Sequence, residues 1–260
     1  MLLQDRNAIV YGAGGAIGAA VARTFAREGA RVHLTGRNAA NVELVARDIN
    51  ESGGTAHAAA VDALDEQAVE EHAARVAEEA GSIDVSINLI TRNDVQGTPL
   101  VDLSVPDYVS CVTRGLTTNF VTARAAGKRM AAQGSGVILA LNSGSSHTSP
   151  LMGGTCPADA AIDTLIRSLA QELGPSGVRA AGVWAAGVPE TLTPQKLGAV
   201  NPAMATPEAL GGVLDTLDSL RMLPASPRLK EIADLAAFLA SDHAGAVTGT
   251  WVNATAMFPS

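Results

Sequence analysis

The stretch GGTCPADAAI, residues 153–162, puts a thiol and a carboxylate into the first turns of an alanine-rich amphipathic run. Cys156 can donate a proton, an unperturbed thiol having a pKa of about 8.5, and Asp159, one turn further on, is spaced to orient it or balance its charge. Just upstream, SGSSHTS places Ser143 and His147 in a polar turn. A serine hydroxyl can polarise a carbonyl, and imidazole is the side chain that exchanges protons near neutral pH. Plain structural readings stand beside each of these: a small buried cysteine, a serine capping a turn, a solvated loop histidine, an acid favoured by the helix dipole. Near the amino terminus, YGAGGAIG (11–18) offers different chemistry. Gly12, Gly14, Gly15 and Gly18 let the backbone turn tightly and come close to a phosphate, whose charge suits the amides at a helix start. Ile17 stands three residues after Gly14, so the spacing is not GxGxxG but is close to GxxxGxG, read as Gly12, Ala16 and Gly18. Arg92, Asn93 and Asp94 form a polar loop that can touch ligand or simply face water.

These residues must be positioned by an alternation of strands and helices. Apolar runs at 7–12, 30–36, 56–62, 84–90, 136–142 and 178–184 read as strands. Between them, amphipathic patterns at 19–29, 41–53, 65–81, 106–133, 157–173 and 229–240 read as helices, several stopped by glycine. Alternation at this pitch predicts an α/β fold: a Rossmann-like doubly wound parallel sheet with helices on both faces, forming a single domain over 1–260. Residues 186–227 depart from the pattern. Pro189, Pro194, Pro202, Pro207, Pro224 and Pro227 leave room for only short helical stretches, and the regular pattern resumes afterwards, as expected of a substrate lid inserted in the domain. Its Leu192, Leu197, Met204 and Leu210 suit a partly apolar small molecule, although the same residues serve equally to pack the segment down.

Composition narrows the partners. A net charge of −8 disfavours nucleic acid. No apolar run reaches the roughly 20 residues of a membrane helix, and the start MLLQDRNAIVYG lacks the features of a signal peptide, so a cytoplasmic location is expected. Cys111 and Cys156 are the two cysteines and have no CxxC or Cys/His ligand spacing, so neither a disulfide framework nor a metal is expected.

The chain resembles the short-chain dehydrogenase/reductase family over nearly its whole length. The stretches that carry the likeness are VYGAGGAIGAAVARTFAREGARVHLTGRN, VDALDEQAV, GSIDVSINLI, SLAQELGPSGVRA and IADLAAFLASDHAGAVTGTWVNATA. The resemblance implies adenine contacts at Asp62 and Ala63, a retained Asn88 from the family's NNAG motif, and nicotinamide contacts at Val188 and Thr191 in AAGVPETLT. It also implies a homotetramer or homodimer. Gly36 stands where NAD-binding relatives carry an acid, and Arg37 follows it. An arginine there can grip a ribose 2′-phosphate, which favours NADP(H) over NAD(H). The family's catalytic tetrad is Asn, Ser, Tyr and Lys. Ser143 matches the Ser in GVILALNSGSS, and counting thirteen residues onward places Cys156 and Ala160 at the YxxxK pair. GLTTNFVTARAAGKRM leaves Gly115 at the Asn position, with Asn119 one turn away. The expectation is an NADP(H)-binding oxidoreductase acting on a carbonyl or alcohol by a non-standard mechanism, with Ser143 positioning the substrate and an unconventional acid, water, His147 or Cys156, completing proton transfer. The alternative is a protein of this fold that no longer transfers hydride.

Overall fold

The structure is a computed structural model describing residues 1–146, 149–200 and 202–256, with side chains excluded at 199 and 200. In chain order its elements are β1 (Asn7–Tyr11), α1 (Ala16–Arg27), β2 (Arg31–Gly36), α2 (Ala39–Glu51), β3 (Thr55–Ala60), α3 (Glu66–Ala80), β4 (Val85–Asn88), α4 (Val105–Gln133), β5 (Gly136–Asn142), α5 (Thr155–Leu173), β6 (Val178–Trp184), α6 (Pro194–Val200), α7 (Pro207–Ser219), α8 (Leu229–Ala240) and β7 (Thr250–Asn253). The seven strands form one parallel sheet in the order β3-β2-β1-β4-β5-β6-β7.

Both faces of the sheet are covered, which is why NAIVY in β1 is buried throughout. Its alternate residues serve opposite cores. Ala8 and Val10 pack with Phe25, Val45, Ile232 and Leu239 of α1, α2 and α8. Ile9 and Tyr11 pack with Val69, Met130, Ile162 and Ile166 of α3, α4 and α5. The strand order reverses between β1 and β4, and the carboxyl ends of these strands open the crevice in which a parallel sheet of this kind receives its ligand.

The glycine turn is set by sterics at that crevice. Gly12 has φ +82°. A Cβ on Gly18 would lie 2.2 Å from the Gly12 carbonyl oxygen, so the turn packs onto α1 only without side chains there. Ala16 is already the first helical residue and needs no positive φ, so its methyl is harmless.

Two elements differ from the sequence reading. β7 adds a seventh strand beside β6, and α7 runs for 13 residues where only short helical pieces were expected. The prolines in this segment start helices more often than they break them. Pro194 and Pro207 each occupy the first position of a helix, where a missing N–H costs nothing, and the Thr206 side chain caps α7 by accepting from the Ala209 amide.

Candidate active site

The crevice at β1 and β4 holds a cavity of about 520 Å³. The glycine turn (Gly12, Gly14, Gly15), the end of β2 (Thr35, Gly36, Arg37), Val61–Ala63 and Arg114 and Thr118 of α4 all line it. The predicted Asp62, Ala63 and Arg37 are therefore brought to one wall system; Val61 and Arg114 were not foreseen. Asp62 uses one carboxylate oxygen to accept from the Leu64 amide at 3.1 Å. Asn88 is not part of the lining. It is buried, its amide nitrogen donates to Thr122 Oγ1 at 3.1 Å and its oxygen accepts from the Ile90 amide at 3.1 Å, so it fixes the turn after β4. Val188 likewise faces the core, 2% exposed, while its carbonyl accepts from Thr191 Oγ1 at 2.7 Å.

A second cavity, about 440 Å³, continues from the first past Ile17 and Gly18 to Asn119, Ser143, Thr155, Thr191 and Lys196. Beneath Ser143 lies the carboxylate of Asp159, which is wholly buried. Its Oδ2 accepts from Ser143 Oγ at 2.6 Å and from the amides of Ser143 and Ser145 at 3.2 and 3.0 Å. Its Oδ1 accepts from Arg92 Nη1 at 2.5 Å. Arg92 Nε faces Asp94 at 3.3 Å, Asp94 accepts from Thr155 Oγ1 at 3.0 Å, and Gln96 donates to Thr155 at 3.2 Å. Burial works against the Arg92 charge, but Asp159 and Asp94 more than offset it and hold the guanidinium protonated above its ordinary range. Gly115 makes this possible, because a Cβ there would sit 2.5 Å from Arg92 Cδ. Asn119, one turn on, donates its amide back to the Gly115 carbonyl at 2.9 Å.

A third cavity, about 420 Å³, opens on the other side of Ser143. Trp184, Leu192, Val213 and Leu217 give it apolar walls, and Gln96, Ser145, Asn253 and Thr255 supply uncharged polar groups.

The family profile described as Enoyl-(Acyl carrier protein) reductase matches residues 12–254. The chain is 33% identical over 264 residues to L-rhamnose 1-dehydrogenase (NAD(P)(+)) of Azotobacter vinelandii, covering 96% of this chain and 94% of that protein. It is 30% identical over 251 residues to D-threitol dehydrogenase of Mycolicibacterium smegmatis, covering 95% and 90%. It belongs to the short-chain dehydrogenase/reductase family. Among solved members, 7 alpha-hydroxysteroid dehydrogenase complexed with NADH and 7-oxo glycochenodeoxycholic acid superposes with a TM-score of 0.83 at 26% identity, covering 98% of this chain and 95% of that one.

Within this short-chain dehydrogenase/reductase, the expected catalytic pair on α5 needs a correction of one residue. Each residue turns a helix by about 100°, so a register slip of one changes the face presented to the site. Cys156 lines none of the three cavities; its thiol is turned towards the Ser149 carbonyl, 3.9 Å away. The cleft meets Thr155 and Ile162, and Asp159 lies between them against Ser143. Asp159 therefore pairs with Ser143 and Arg92 instead of orienting Cys156. Counting twelve from Ser143, rather than thirteen, puts Thr155 and Asp159 at the i, i+4 spacing of the family pair. His147 lies outside the described residues. The chain's two tyrosines, Tyr11 and Tyr108, line none of these cavities, so no phenol meets Ser143.

Proposed function

We propose that this chain is an NADP(H)-dependent oxidoreductase acting on the alcohol or carbonyl of a small, partly apolar molecule, with Ser143 retained and Asp159 and Arg92 taking over the proton handling of the family's Tyr and Lys. One observation carries the reading: the three cavities share walls. The nucleotide cleft and the middle cavity have Gly15, Leu89, Ile90 and Thr91 in common, and the middle and apolar cavities share Gln96 and Ser143. Ser143 thus stands where a bound nucleotide and a bound substrate meet. Residues 186–227, which supply Leu192, Val213 and Leu217 to the apolar wall, act as the substrate lid of a single domain.

The nucleotide fits the residues present. The open glycine turn leaves the first amides of α1 without a side-chain cap, and Arg114, which lines the cleft, has no carboxylate partner among the described residues. When bound, NADP(H) supplies or accepts the hydride. The protein's own part is proton handling. Ser143 gives its hydroxyl proton to Asp159, so its oxygen presents lone pairs to the cavity and is set to accept from a substrate hydroxyl. An alcohol proton then passes to Ser143 Oγ as the Ser143 proton moves to Asp159 Oδ2, with Arg92 holding that carboxylate in place. This favours alcohol oxidation over carbonyl reduction. Lacking a phenol, the site works more slowly than relatives, a missing general acid or base costing about 10²–10⁴ in rate.

A second reading, nucleotide binding without hydride transfer, is favoured by the closure of Thr155, Asp94, Arg92, Asp159 and Ser143 upon one another. Titration with NADPH and NADH by calorimetry, followed by an alcohol and carbonyl panel, separates the two. Turnover that falls at least tenfold in Ser143→Ala and Asp159→Asn supports the first; tight NADPH binding with no turnover of any substrate supports the second; binding of neither nucleotide overturns both. His147→Ala and Cys156→Ala belong in the same panel, and unchanged rates there remove those residues from the mechanism. The proposal includes a cytoplasmic homodimer or homotetramer; the exposed apolar strip of Val105, Val109, Leu116 and Phe120 on α4 suits a second copy. Light scattering reads that state directly.

A further inference from the structure

The nucleotide cleft carries an arginine that the β2 end does not account for. Arg114 reaches it from α4, one turn before Thr118, which lines the same cavity. Arg37 and Arg114 share the cavity, and among the described residues Asp62 is the only acidic one lining it. Two cations against one anion make this wall net positive within a chain of net charge −8. Asp62 is moreover engaged with its own turn. Among the described residues neither guanidinium has a carboxylate partner, and the Arg114 Nε is buried without any hydrogen-bond acceptor. Arg92 has two carboxylates and Arg221 three acceptors, and Arg124, whose Nε is likewise buried without a partner, has its guanidinium paired with Glu66; Arg114 has no such carboxylate among the described residues. An arginine that lines a cavity without a carboxylate partner is free to take its counter-charge from an anionic ligand.

We propose that Arg114 is the second arm of a 2′-phosphate site, gripping the phosphomonoester of NADP(H) together with Arg37, which lines the same cavity. The inference rests on the NADP(H) reading above and adds the residue that makes the discrimination. A dianionic phosphate offers each arginine a bidentate, charge-assisted contact, whereas the 2′-hydroxyl of NAD(H) offers neither. Asn38 and Asn41, in the same wall, carry no charge and leave the phosphate nothing to repel it.

The test is calorimetric and needs no turnover. Kd values for NADPH, NADH, adenosine 2′,5′-bisphosphate and adenosine 5′-monophosphate are measured for the wild type, Arg37→Ala, Arg114→Ala and Arg114→Lys, with circular dichroism confirming the fold. Charge-assisted hydrogen bonds of this kind are worth about a tenfold change or more in Kd. Arg114→Ala is expected to weaken NADPH and the bisphosphate at least tenfold while leaving NADH and the monophosphate within about twofold, and Arg114→Lys to recover part of the loss. Equal weakening of all four ligands overturns the assignment, since it marks an adenine-stacking or structural arginine, as does no change at all. A wild type that prefers NADH overturns the NADP(H) reading and this site with it; a wild type that prefers NADPH, with the preference intact in Arg114→Ala, overturns this site alone.

Discussion

At the scale of single residues, the polar side chains beneath Ser143 are organised around an ion pair between Arg92 and Asp159. Asp159 is fully buried and is tolerable there only because Arg92 and three hydrogen-bond donors neutralise and satisfy it. Removing one partner leaves the other charge stranded. Arg92→Met and Asp159→Leu are each expected to cost about 3–5 kcal/mol of stability, whereas the double variant recovers much of that loss, because an apolar pair replaces both charges. Urea unfolding of the four proteins checks it, and strictly additive losses would show that the two side chains do not act as a pair. Gly115 belongs to the same unit. Gly115→Ala drives a methyl towards Arg92 Cδ, so it should displace the guanidinium and reproduce part of the Arg92→Met loss. The sequence made Ser143, Asp159 and Arg92 visible as individual polar residues, but not as partners. Arg92 reaches Asp159 from 67 positions away, and such a contact leaves no local spacing to read. Placing the α5 pair at Cys156 instead of Thr155 follows from the same limit: a loop one residue shorter alters the helix face, while the apolar pattern downstream looks the same.

At the scale of elements, a buried guanidinium helps to tie down residues 186–227. Arg221 donates to the carbonyls of Ala186 and Thr255 at 3.0 and 2.8 Å and to Ser226 Oγ at 3.3 Å. It thereby joins the start and finish of 186–227 to the chain after β7. Gly187 lies directly beneath it, with room for no side chain. Arg221→Met strands two carbonyls but leaves the nucleotide cleft untouched. The expected result is faster proteolysis within 186–227 and, on the proposed function, a KM for substrate raised several-fold, with NADPH affinity unchanged; a parallel loss of NADPH affinity would contradict a role confined to this segment. The core strands and most helices were legible because glycine stops and two-sided burial mark them locally. β7 and α7 were harder. TWVN is four residues long and only partly buried, and α7 is announced by a Thr-Pro start that reads as a break until its capping is considered.

At the scale of the whole molecule, chemistry and acid sensitivity sit at different places on the sheet. Ser143 follows β5, whereas His33 of β2, His57 of β3 and His72 of α3 gather under α3 around a cavity of about 280 Å³. His33 and His57 stack at 5.4 Å, while His33 Nε2 and His72 Nδ1 are buried without partners. Burial, then His57 and Arg31, lowers His33 to about 4; burial, then His33 and Arg75, lowers His72 to about 4. Because both folded values lie below the unfolded value of about 6.5, the unfolded chain takes up protons first as pH falls. Their contribution is therefore complete above pH 6.5 and is lost progressively between about 6.5 and 4, at up to roughly 1.4 kcal/mol per pH unit for each histidine. Asp163, raised above the ordinary carboxylate range by burial, works in the opposite sense and softens the slope. Urea midpoints at pH 7, 6 and 5 should fall steadily for the wild type and less steeply for His72→Leu, which removes a titrating group without removing volume. An equal slope in the variant would place the acid sensitivity elsewhere. Since Arg37, Arg114 and Ser143 lie outside this cluster, NADPH affinity measured above the unfolding pH should follow the second ionisation of the 2′-phosphate, at about pH 6, and should do so equally in the wild type and in His72→Leu; a pH profile that differs between the two would tie binding to the histidines.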